Sequence, residues 1–443
     1  MAIQALLVIL AVLLGLLFQQ FYAMVDTVVV GNFLGMEALA GVGSTGSINF
    51  LVLGLCNGVC AGFAIPVAQK FGEKDFDGLR NFVGNMIWLG GIIALIVTAV
   101  TTIGCRAILT AMNTPESTFS YAYDYIFLIF LGIPATMLYN LLSGILRSLG
   151  DSRTPLMFLV FSSLLNVALD VVCVVTLQMG VAGAGWATLI SQLISGLLCL
   201  LYMDRKFPIL HLKKENLLWR GHCVRRLLIM GLPMGLQYSI TAIGSILLQT
   251  AVNGLGAVSM AAVAASGKVT NLFATPYDAM GTMAATYAGQ NLGAGKLDRV
   301  HHGVKDCCIL GVAYSLAALV VMYFLGAQMT ALFLDSKDVA SSAQILPLAR
   351  QLLVTNAAFY IPLLGVNLFR FTIQGLGYSN LAVIAGVFEM IARGAVAALV
   401  SVFGFTAVCY ASPAAWVLAD CFLLPAYFVC MKRRTKEAAA ARE

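Results

Sequence analysis

Long apolar runs, each broken by a short polar or Gly/Pro-containing stretch, organise the whole chain of 443 residues. A helix needs about 20 apolar residues to cross the hydrocarbon of a bilayer. Runs of that length lie near 4–33, 42–70, 80–106, 118–147, 154–178, 183–203, 226–254, 259–291, 300–333, 342–375, 380–404 and 408–431. The pattern therefore predicts an all-α polytopic membrane protein with twelve transmembrane helices. Several runs exceed the crossing length, so tilt or extension past the bilayer is expected. The first run is long and lacks a small-residue cleavage pattern. It reads as the first span, beginning almost at Met1, and not as a signal peptide.

The longest polar connection is MDRKFPILHLKKENLLWRGHCVRR, and it parts the helices into two sets of six. The expected organisation is an N-lobe of 1–203, a linker of 204–225, a C-lobe of 226–431 and a tail of 432–443. The lobes repeat. At an offset of 221, Asn32, Leu34, Gly35, Ala40, Val42 and Gly46 match Asn253, Leu255, Gly256, Ala261, Val263 and Gly267. Ala64, Gln69, Gly72 and Asp77 match Ala285, Gln290, Gly293 and Asp298 at the same offset, and Leu149, Gly150 and Ser152 match Leu376, Gly377 and Ser379 at 227. Six helices per repeat is an even number, so both lobes enter from one side. This is a parallel, pseudo-symmetric pair suited to rocking about a cavity.

Composition supports the membrane assignment: 60% of residues are hydrophobic and 10% charged, with mean hydropathy +0.92, more apolar surface than a soluble chain of this size can hide. Charge then orients the chain. Twenty of the 26 Lys and Arg fall on one set of connections, from Lys70, Lys74 and Arg80 through Arg147, Arg153, Arg205–Arg226, Lys296, Arg299 and Lys305 to the tail; the opposite connections hold Arg106 and Lys337. The positive-inside rule makes the rich side cytoplasmic and places both termini there. The net charge of +6 is thus a matter of topology and lipid contact, and nucleic acid is not expected as a partner. The eleven cysteines are scattered through apolar segments and show no metal-site spacing.

Ionisable residues inside spans are costly and usually mark an ion or substrate path. Asp26 lies in FQQFYAMVDTVVVGNFLG and Asp170 in SSLLNVALDVVCVV. Tyr22 shares a helix face with Asp26, and Asn166 with Asp170, each pair four residues apart. Such a pair of acids can bind a sodium ion through oxygen ligands (Asp26, Asp170 and Asn166) or can hold a proton. Thr188 and Asn140 are candidate further oxygens. The second half copies none of this and carries Arg370, Glu389 and Arg393 instead. Those three form either a neutralised network that locks two helices or a second cation or proton site. Lys268, also within a span, is expected to snorkel or meet a carbonyl. The glycine-rich turns lack a GxxxxGK[ST] pattern after a strand, so no ATP site and no cofactor is expected.

The chain resembles the multidrug and toxic compound extrusion (MATE) family over essentially its whole length, in FYAMVDTVVVGNFLG, in the paired VAQKFGEKD and AGQNLGAGK turns, in LRSLGDSRTP and in NVALDVVCVVTLQMGVAGAGWATLISQ. It looks most like the bacterial DinF-like or related branches. The resemblance implies two six-helix lobes in a V and export of cationic, amphipathic compounds in exchange for sodium ions or protons. It also implies a coupling site of Asp26, Asn166, Asp170 and Thr188 with Tyr22 beside it. The expected protein is a monomeric secondary antiporter of the bacterial cytoplasmic membrane, and not an enzyme. A lipid-linked precursor flippase of related architecture is the alternative. An intramembrane aspartyl protease fits poorly, because the second aspartate lies in VALDVV without a GxGD setting.

Overall fold

A computed structural model describes residues 25, 29–31, 33–112, 114–334 and 339–440. Its helices are α1 (Met36–Ser44), α2 (Gly46–Glu73), α3 (Phe76–Ala111), α4 (Glu116–Leu131), α5 (Ile133–Ser148), α6 (Arg153–Asp170), α7 (Val181–Lys206), α8 (Gly221–Asn253), α9 (Ala257–Gly293), α10 (Leu297–Ala331), α11 (Val339–Ala358), α12 (Tyr360–Gly375), α13 (Ser379–Phe403) and α14 (Phe405–Ala440). Among the described residues, nine continuous spans are long and apolar enough to cross a membrane; the bent pairs α4–α5 and α11–α12 bring the count to eleven. The span expected at 4–33 lies almost wholly outside the described residues. The protein is all-α and multi-pass.

The chain divides into two units, with the boundary between Gly235 and Leu236, inside α8. In the first unit α2 packs on α5 and α6 on α7; in the second, α9 packs on α12 and α13 on α14, the same pairs one repeat later. Backbone conformation repeats with the sequence offsets. Gly35 and Gly256 have φ of 89° and 91°, Lys74 and Gly295 60° and 67°, Gly150 and Gly377 87° and 94°. The bends recur too, 44° between α4 and α5 and 51° between α11 and α12.

Small residues set the closest approach. A Cβ on Gly62 of α2 would lie 2.5 Å from the Gly231 Cα, and one on Gly58 2.8 Å from the Gly235 Cα, so the first part of α8 meets α2 backbone to backbone. The linker is stitched to α3. Asn85 donates to the Leu218 carbonyl at 3.2 Å, Trp88 Nε1 to that of Leu217 at 2.9 Å, and Asn216 Nδ2 to Asn81 Oδ1 at 2.9 Å. Gly84 leaves the notch that the Asn216 carbonyl fills. Between α2 and α3, Asp75 caps α3 by accepting from Gly78 N at 2.8 Å and faces Lys70 Nζ at 2.9 Å.

Candidate functional site

In the first unit α6 presents Asn166 and Asp170 from one face, 2% and 0% exposed. Asn166 Nδ2 donates to Thr188 Oγ1 on α7 at 3.3 Å, so two of the expected oxygen-bearing residues meet across a helix pair. Regular α-helix ends at Asp170, and Val171–Thr176 continues as a wider π turn. Such turns re-aim the side chains around them and are frequent at functional sites. A carboxylate this deeply buried is stable only beside hydrogen-bond donors, a proton or a cation. The hydrogen bonds of Asn140 run elsewhere, to Asn57 Oδ1 on α2 and to the Thr136 carbonyl, both at 2.9 Å. Asp26 and Tyr22 lie outside the described residues.

In the second unit Arg370, Glu389 and Arg393 are 5%, 3% and 7% exposed. Arg370 Nη2 donates to Glu389 Oε1, and Arg393 Nη2 to Oε2 at 3.2 Å. One carboxylate therefore bridges two guanidinium groups and ties α12 to α13. Asp420 of α14 lies within electrostatic reach of both Arg370 and Glu389. Its carboxyl rests on Gly365 of α12, where a Cβ would stand 2.8 Å from Oδ1. Beside this cluster Gln374 Nε2 donates to Gln237 Oε1 at 2.7 Å, joining α12 to α8. The second unit thus gathers two bases and two acids in its interior.

The MatE family model matches the chain twice, over residues 11–172 and again over 233–400. The chain belongs to the MatE family. Each match covers most of one structural repeat, as expected of a fold built from two copies. Among curated relatives, "Probable multidrug resistance protein YpnP" of Bacillus subtilis is 28% identical, covering 82% of this chain and 79% of the relative. The "FAD transporter" of Shewanella oneidensis is 22% identical over 70% of this chain and 69% of that one. Among solved structures, a MATE protein in the bent conformation superposes with a TM-score of 0.89 at 20% identity, covering 98% of this chain and 96% of that one. An outward-facing multidrug resistance MATE transporter gives 0.86 at 20% identity, covering 99% and 96%. At that identity the likeness is one of fold.

The second unit also holds two acids not among the expected site residues, Asp420 and Asp278. Both interrupt apolar runs, in WVLADCFLL and ATPYDAM, as Asp170 does, so the signal was available. Lys268, expected to snorkel or meet a carbonyl, places Nζ over the Phe333 ring, 5.4 Å from its centroid.

Proposed function

We propose that this MatE-family protein is a secondary antiporter that exports small cationic or amphipathic organic compounds, drugs and toxic metabolites among them. The exchanged ion is sodium or a proton, and transport proceeds by alternating access of the two lobes, 1–203 and 226–431. The observation that carries this reading is the buried Asn166–Asp170 pair, with half-buried Thr188 bonded to Asn166, set at a π turn within a membrane span. Asp26 and Tyr22 are assigned to the same site on their sequence positions, and Asn140 to its periphery. Burial makes exchange of the bound ion depend on which side of the site admits water, and that dependence couples ion flow to lobe movement. The names of the Bacillus relatives support drugs as cargo.

Transport in this reading needs no cofactor, no ATP and no catalysis, and the monomer is the working form. The protein sits in the bacterial inner membrane with both termini cytoplasmic, on the strength of the basic connections. The flippase alternative is less well supported, because a pyrophosphate headgroup calls for more basic residues within the spans than this chain has.

The test is efflux of a fluorescent organic cation from proteoliposomes, under sodium and pH gradients imposed separately. Efflux driven by one gradient in the wild type and lost in Asp170→Asn, with binding of the cation retained, is expected. Equal gradient-driven efflux in both proteins would remove Asp170 from coupling. No efflux from the wild type under either gradient would overturn the antiporter reading.

A further inference from the structure

One face of α9 is polar over about five turns. Lys268, Asn271, Thr275, Asp278, Thr282 and Thr286 follow one another at intervals of three or four residues. At about 100° per residue they fall within roughly 80° of the helix circumference. A lipid-facing stripe of that kind would carry a cost of several kcal/mol at the acid alone, whereas a stripe lining a water-filled path costs little. Lys268, Asn271 and Asp278 are exposed, while α9 as a whole reads as a membrane span of 37 residues. Asp278 lies 21 residues after the start and 15 before the end of that helix, so it belongs to the middle of the rod and not to a frayed terminus.

The groups along the stripe differ in what they have left to offer. The threonines are spent on their own helix: Thr275 Oγ1 donates to the Asn271 carbonyl at 2.7 Å, Thr282 Oγ1 to that of Asp278 at 2.9 Å, and Thr286 Oγ1 to that of Thr282 at 3.2 Å. Lys268 is placed over Phe333. Among the described residues the Asp278 carboxylate has no hydrogen bond and no ion pair. Arg370, a cation within electrostatic reach of it, is already held by Glu389.

We propose that this face of α9 is a substrate-binding surface on which Asp278, with Asn271 two turns away on the same face, takes the positive charge of an amphipathic organic cation. The inference rests on the exporter reading and adds the residue that selects cargo by charge. Asp278 acts on the cargo and Asp170 on the coupling ion, so substitutions at the two separate into different defects.

The experiment measures equilibrium binding of ethidium and of an uncharged aromatic dye to purified protein in detergent, for wild type, Asp278→Asn and Asp278→Glu. Ethidium affinity should fall about tenfold or more in Asp278→Asn, the loss expected of one charge-assisted contact. It should recover in Asp278→Glu, and the uncharged dye should bind all three alike. Unchanged ethidium binding in Asp278→Asn overturns the proposal, and so does loss of both dyes from a monodisperse variant. A second measurement does not depend on transport. Asp278→Cys and Thr282→Cys should gain modification by a charged, water-borne thiol reagent over the wild type, and ethidium should protect them. Leu316→Cys, at an exposed apolar position of α10, should gain none. Labelling at Leu316→Cys but not at the α9 positions would show that the stripe is dry and end the proposal. A wild type that binds ethidium but does not move it would count against the exporter reading alone.

Discussion

Replacing Glu389 with glutamine removes one charge and almost no volume, and its effect follows from the geometry of α12 and α13. Both oxygens of Glu389 are engaged by guanidinium groups, and all three residues are at most 7% exposed. The variant leaves Arg370 and Arg393 buried without their shared counter-charge, a defect worth about 3–5 kcal/mol. Asp420 lies within reach of Arg370 and offsets part of it, so the low end, about 3 kcal/mol, is the expected loss. That corresponds to roughly a hundredfold shift in the unfolding equilibrium. The assay is reversible unfolding in mixed micelles with rising SDS fraction, followed by far-UV circular dichroism. A companion carrying Arg370→Met, Glu389→Met and Arg393→Met together removes every charge of the triad and should return to within about 1 kcal/mol of the wild type, because only a broken pair leaves an uncompensated ion. If the triad is a lock, this companion also keeps gradient-driven efflux. Glu389→Gln as stable as the wild type, or a triple variant less stable than Glu389→Gln, would refute the reasoning.

Three further outcomes follow from the first unit. Gly62→Val drives a side chain into the Gly231 backbone and should cost about 3 kcal/mol or more, read as loss of monodisperse protein on size exclusion; Gly43→Ala, with nothing within 4 Å of its Cβ, should behave as wild type. Gly84→Leu displaces the Asn216 carbonyl from its notch, so trypsin should cut at Lys213 and Lys214 faster than in the wild type, and unchanged cleavage would mean that the linker is not held there. Asp75→Ala removes the α3 cap at a cost of about 1 kcal/mol. Lys70 donates to Asp75, and that contact holds the carboxyl below its usual range. Its stabilisation is therefore full above about pH 4, the unfolded value, and fades as pH falls through the lower folded value. The gap between wild type and variant should narrow in that acid range and stay constant from about pH 5 to pH 7.

Much of this was legible in the order of residues. A span must satisfy its own backbone and show lipid an apolar surface over a fixed length, so hydropathy alone marks where helices run. The prediction of 183–203 against the observed Val181–Lys206, and of 380–404 against Ser379–Phe403, reflects that constraint. The repeat was legible because the same turns must be made twice, as the paired positive φ values of Gly35 and Gly256 record. Asn166 and Asp170 stood out because acids and amides are rare in hydrocarbon, and four-residue spacing is enough to put them on one face.

What periodicity cannot specify is which side chain meets which across helices far apart in the chain. Sequence offered Asn140 as a partner for the acids, and packing gave it to Asn57 on α2. Sequence left Arg370, Glu389 and Arg393 open as a network or a second ion site, and the approach of α12 to α13 joined all three through the Glu389 carboxylate. Asp278 and Asp420 carry the same sequence signal, yet Asp420 lies beside the Arg370 cluster while Asp278 stands exposed and without an ion pair among the described residues. The bilayer fixes each helix by one-dimensional rules of length and polarity; the meaning of a buried charge depends on distances that only the packed helices set.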